Sequence, residues 1–269
     1  MIVGQWLALT KSNLLMIIRD RIMNAVFGVA LCMLLLVPSL SSFSMRQVQE
    51  LAITISLSVI SLSLLVLTIL LGASSIWRDV EHRYTSSILT LPVSRAQYIL
   101  SKFTSIAISL LICASILGLS ATIVIQVASA SYPSELPIVW RSIFWAIIAD
   151  VCKYMLLSTI AILLSTVSTS FFLPVFGTVA IYLSGSASQE VYEFVSGQFG
   201  HGVHPAAVLI TKGAYYLLPN FAAFNFKTYA VYALQLSNTA IIYPLLYSVT
   251  YGGVILCLSI IVFNRRELP

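Results

Sequence analysis

The chain has 269 residues, 59% of them hydrophobic and only 9% charged, with a mean hydropathy of +0.99. A soluble domain is about a quarter charged, so this composition excludes one and identifies a membrane protein. The net charge of +5 therefore reads first as an orientation signal in the loops, and no nucleic-acid partner is expected.

The first twenty residues mix apolar and polar side chains and lack a compact apolar stretch with a small-residue cleavage site, so no cleaved leader is expected. Val3, Trp6, Leu7, Leu14, Ile17 and Ile18 recur at helical spacing, interrupted by Lys11, Arg19 and Asp20. That pattern predicts an interfacial elbow helix over 1–20. A membrane helix needs about 20 mostly apolar residues, and runs that meet this occur at 22–40, 51–76, 103–128, 142–166 and 238–263, with a shorter one at 171–184. The expected architecture is an all-α membrane protein of six transmembrane helices forming a single domain over 1–269. Pro38, Pro174 and Pro244 fall near the span ends, where a missing backbone donor does least harm.

With both termini in the cytoplasm, nine basic residues lie inside: Lys11, Arg19, Arg21, Arg78, Arg83, Arg95, Lys102, Arg265 and Arg266. Four lie outside, namely Arg46, Arg141, Lys212 and Lys227, which satisfies the positive-inside bias. The stretch 187–237 between the fifth and sixth spans is then external. Its ten aromatic residues suit short helices at the outer leaflet, acting as an interfacial cap or as a lid over a transport path. In it, His201 and His204 read as loop residues rather than metal ligands, and no metal site is expected. The cysteines Cys32, Cys113, Cys152 and Cys257 lie far apart in apolar segments and read as small packing residues.

The densest polar stretch, 77–102, connects spans two and three. Ile76, Val80, Tyr84, Ile88 and Leu91 give a helix there one apolar face, and Pro92 ends it. Ser94 to Gln97 reads S-R-A-Q, a capping box that starts a second helix running into the third span without a breaker.

These residues resemble the permease subunits of type-two ABC exporters, in particular the branch that includes permeases of copper-enzyme maturation. Asp79, Glu81, Arg83, Thr85, Pro92, Val93, Ser94, Arg95, Tyr98 and Lys102 match that loop, while His82, Tyr84 and Ser101 depart from it. The resemblance extends to the elbow, the six-span plan and the terminal FNRRELP. It implies that 77–102 forms a cytoplasmic coupling helix seated on a separate ATPase subunit, with Asp79, Glu81, Arg83, Thr85, Pro92, Val93, Ser94, Arg95 and Lys102 as the ATPase-coupling residues. It also implies two permease chains, as a homodimer, with two ATPases in a prokaryotic cytoplasmic membrane. The sequence agrees in one respect: it has no GxxxxGK[ST], so ATP and Mg would be bound by the partner and no cofactor by this chain. Catalytic residues are expected nowhere in it, since HExxH and GxSxG are also missing.

Asp150 and Lys153 are the ionisable groups inside a predicted span, about 13 Å deep at 1.5 Å per residue. Three residues apart, they share a helix face and partly neutralise each other. They are either a structural pair between helices or the lining of a water-filled path. An ion-coupled secondary transporter using this pair is the rival reading, with a non-transporting scaffold as another; a partner on the outer face remains open.

Overall fold

The computed structural model describes residues 2–44, 47–81, 94–131, 136–197 and 204–266. Among these residues there are nine α-helices, one 3-10 turn and no strand. The helices are α1 (Ile2–Arg19), α2 (Arg21–Ser41), α3 (Val48–Glu81), α4 (Arg95–Ser131), α5 (Trp140–Val167), α6 (Phe172–Ser196), α7 (Pro205–Leu217), α8 (Lys227–Val231) and α9 (Asn238–Arg265), with the 3-10 turn at Ala222–Phe224 between α7 and α8.

Five of these helices, α2, α3, α4, α5 and α9, are long and apolar enough to cross a membrane. Each contains one of the expected spans. The remaining one, 171–184, falls on α6, which is not among the five. Its second half carries Gly185, Ser186, Ser188, Gln189, Glu190 and Glu193, and these dilute the apolar run. At 37 residues, α4 is about 55 Å long, well beyond the roughly 30 Å of a hydrocarbon core.

The expected elbow is α1, and a single residue separates it from α2. Asp20 adopts an extended conformation, and its carboxylate accepts from the Ile22 amide at 2.9 Å and from the Arg78 guanidinium at 3.0 Å. Burial pushes this carboxyl up, but those two partners more than offset it and leave its pKa lowered. α1 lies against α4, where Asn13 donates to Ser101 at 3.3 Å and the Ser105 hydroxyl donates to the Thr10 carbonyl at 3.1 Å.

The capping box predicted at the start of α4 forms reciprocally. The Gln97 amide donates to Ser94 Oγ at 3.2 Å, and the Ser94 amide donates to Gln97 Oε1 at 3.1 Å. The helix expected to end at Pro92 is described only to Glu81, where it is the continuation of the long α3; residues 82–93 lie outside the described part. Pro174 falls in the first turn of α6 and Pro38 in the last turn of α2. Pro244 departs from expectation: it sits inside α9, past the first turn, where its ring removes a backbone donor.

α3 and α5 cross in close contact. A Cβ placed on Gly72 would lie 2.5 Å from Ala161 Cβ, so the two backbones meet where neither residue carries bulk. One turn further on, Ser165 Oγ accepts from the Trp77 amide at 3.1 Å and donates to the Ala73 carbonyl at 2.9 Å, so it bonds to the donor and the acceptor of one i, i+4 pair of α3.

The segment after α7 folds into the bundle. Phe221, Phe224 and Phe226 are buried, and the Phe221 amide donates to the Gly185 carbonyl at 3.4 Å. Gly185 is required there, because a Cβ would come within 2.4 Å of the Pro219 carbonyl oxygen. Tyr216 and Tyr232 remain exposed, so the aromatic load of 187–237 divides between bundle and surface.

Gly72→Ala is expected to force α3 and α5 apart and destabilise the protein by about 1–3 kcal/mol. Adding Ala161→Gly should return most of the loss. Thermal unfolding of the detergent-purified single and double variants checks both.

Candidate functional site

Asp150 and Lys153 lie on α5, both more than nine-tenths buried, with Lys153 Nζ 2.5 Å from Asp150 Oδ1. The ammonium also lies 4.6 Å from the centre of the Tyr154 ring, a second source of stabilisation for a cation away from water. The Tyr154 hydroxyl reaches Ser61 of α3 at 2.7 Å, tying the site to the central crossing pair. Beside the ion pair is a cavity of about 270 Å³ between α3, α5, α6 and the turn before α8. Its lining includes Ser61, Tyr182, Glu190 and Lys227 as well as the pair. Lys227 is half-buried and donates to Ser58 at 3.2 Å. Burial is the main influence on its ammonium and lowers its pKa; Asp150 works against that and Lys153 adds to it.

A second polar cluster occupies one end of the bundle. Asp79 at the end of α3 accepts from Lys102 Nζ at 2.7 Å and from the Tyr98 hydroxyl at 2.6 Å, and all three residues are buried. The Tyr98 ring stacks on Phe263 of α9, their centres 5.5 Å apart. Arg95 then reaches across the end of α9, donating to the carbonyls of Phe263 at 2.9 Å, Asn264 at 3.0 Å and Arg266 at 3.1 Å. The last carbonyls of a helix have no internal donor and carry partial negative charge, so a guanidinium suits them. Arg266 repeats the arrangement on the next helix, donating to the carbonyls of Thr166 at 2.5 Å and Ser168 at 3.0 Å beyond α5.

Residues 14–185, from the middle of α1 to the middle of α6, match the family described as ABC-2 family transporter protein. The chain belongs to that family. A search of curated proteins found no match. As an ABC-2 permease, the chain is non-catalytic in itself and works with partner ATPase subunits.

The permease brings together only some of the residues singled out from its sequence. Asp79, Lys102 and Tyr98 form one buried cluster, with Arg95 beside it through Phe263; Ser94 is spent on the helix cap. Glu81 is exposed at the last position of α3. Arg83, Thr85, Pro92 and Val93 lie outside the described residues, as does His201, whereas the His204 ring nitrogen accepts from the Ala206 amide and caps α7. Among the described residues no three His, Cys, Asp or Glu side chains are placed to share a metal ion.

Sequence reasoning missed Glu190 and Lys227 at the cavity and Arg266 as a helix clamp. Glu190 and Lys227 are 37 residues apart and carry no common motif. The available signal was Lys227 itself, a lone cation within the aromatic run FNFKTY.

Asp150→Asn leaves a buried ammonium without its carboxylate and is expected to destabilise the permease by about 3–5 kcal/mol. Asp150→Asn combined with Lys153→Met should recover much of that. Thermal unfolding in detergent compares the two.

Proposed function

We propose that this permease is the membrane half of an exporter in a prokaryotic cytoplasmic membrane, acting as a homodimer with two cytoplasmic ATPase subunits that bind ATP and Mg. In this reading α6 supplies the fifth of six crossings and both termini are cytoplasmic. Within the family, the string PVSR at 92–95 favours the branch of copper-enzyme-maturation permeases. The stretch 77–102 is the coupling segment, with Asp79, Glu81, Arg83, Thr85, Pro92, Val93, Ser94, Arg95 and Lys102 as its ATPase-coupling residues; of these, Asp79, Ser94, Arg95 and Lys102 also tie helix ends together. The segment 187–237 lies on the outer side of the bundle.

One observation carries this reading. α4 begins at the capping box within the coupling segment and continues unbroken to Ser131, while Arg95 in its first turn holds the end of α9. A push on the segment is therefore delivered to α4 and α9 together. α5 follows, because Arg266 at the end of α9 holds its last carbonyls. ATP binding and hydrolysis by the partner would change the separation of two such segments, and the paired bundles would switch the side on which they open. The clustering of Arg19, Arg78, Arg95, Lys102 and Arg266 toward one end supports placing that end in the cytoplasm.

Arg95→Glu places a carboxylate against three carbonyl oxygens and is expected to uncouple ATP turnover from transport, while the complex still hydrolyses ATP. Vesicle transport measured alongside ATPase activity checks this. Ser94→Cys should be labelled by an impermeant thiol reagent from the cytoplasmic side alone. Full transport by vesicles lacking the ATPase would instead make the Asp150 and Lys153 pair the centre of an ion-coupled carrier.

A further inference from the structure

The cavity beside Asp150 and Lys153 is uneven in charge. Of the four charged side chains lining it, Asp150 and Lys153 hold each other at 2.5 Å. Among the described residues no carboxylate lies within ion-pair distance of Lys227, which has only the Ser58 hydroxyl. Glu190 is exposed, so water screens its charge, whereas Lys227 is half-buried among aromatic rings and is screened far less. The interior of the cavity thus holds a cation with no carboxylate in contact, on which Asp150 acts only from beyond ion-pair distance.

Hydroxyl and amide groups converge on the same space. Ser61, Tyr182, Ser186 and Asn225 line it with the lysines. A volume of 270 Å³ corresponds to about nine waters at roughly 30 Å³ each. That admits a phosphate, a small carboxylate or a headgroup, and falls short of the roughly 300–1,000 Å³ of sites for drug-sized ligands.

We propose that this cavity binds a small anionic group, phosphate or carboxylate, between Lys227 and the Lys153–Asp150 pair, with Glu190 at its mouth. The group belongs either to a soluble anion or to the headgroup of an amphiphile whose tail stays outside the cavity. Binding needs no ATPase subunit, so its failure and the failure of the exporter reading are separate results.

The test uses the full chain purified in an uncharged detergent, with three probes: inorganic phosphate, dihexanoyl phosphatidic acid and, as the uncharged control, dihexanoylglycerol. Affinities are read from the ligand-dependent thermal midpoint and from microscale thermophoresis. At least one anionic probe should bind, and Lys227→Gln should weaken it by about tenfold or more. Lys227→Arg should retain it, Lys212→Gln on α7 should leave it unchanged, and Glu190→Gln should tighten it about twofold by removing a like charge at the mouth. Binding of phosphate identifies a soluble anion as sufficient, and binding of the phosphatidic acid alone identifies a headgroup. The proposal is overturned if neither anion binds, if dihexanoylglycerol binds as tightly as the anions, or if Lys227→Gln binds like the parent. Should Lys227→Gln not fold, a weaker affinity in Glu190→Gln overturns it instead.

Discussion

Helices surrounded by hydrocarbon gain little from hiding apolar side chains against one another, so a bundle in lipid depends on close backbone approach and on polar contacts between helices. Here that requirement is met chiefly where Gly72 faces Ala161. With α3 and α5 pressed together at that point, Ser165 is near enough to bond to the backbone of α3 and Tyr154 to reach Ser61. The ion pair of α5 is in turn held at the edge of a cavity whose opposite walls come from α6 and the inward-folded turn before α8. A wider crossing would change the shape of that cavity and the partners of its charges together.

The two ends of the molecule solve the same problem differently. At the end carrying α1, cations are directed at carbonyl oxygens of helix termini: Arg95 at α9 and Arg266 at the residues closing α5. Carbonyls are weaker partners than carboxylates, but each guanidinium reaches several at once and none must be brought out of water as an ion. The Asp79 carboxylate is reserved for Lys102 and Tyr98, joining the close of α3 to the beginning of α4. The result is a collar through which four helices share their end positions.

Much of this was legible in the sequence where the signal is local. The capping box at Ser94 to Gln97 needs only four residues and forms as read, and the three-residue spacing of Asp150 and Lys153 was enough to predict that they meet. The first helix followed from its mixed periodicity. Hidden features depend on tertiary approach: Glu190 and Lys227 come to one cavity from elements that are remote in the chain, and Arg266 looked like one more basic residue near a terminus. The aromatic segment was ambiguous for the same reason, since Phe221, Phe224 and Phe226, which are buried, suit an outer leaflet and a protein interior equally well. Pro244 was assigned to a span end on the assumption that a helix avoids an internal proline, which membrane helices tolerate more readily than soluble ones.

The Ser165 hydroxyl gives α3 an unusual swivel. Because it bonds to both the Trp77 amide and the Ala73 carbonyl, the C-terminal part of α3 is hung partly on its neighbour. Rolling α5 about its own axis would carry that oxygen sideways and tilt the last residues of α3 up to Glu81. Coupling of this kind runs in either direction, so the roll of α5 and the bearing of the end of α3 are two readings of a single joint.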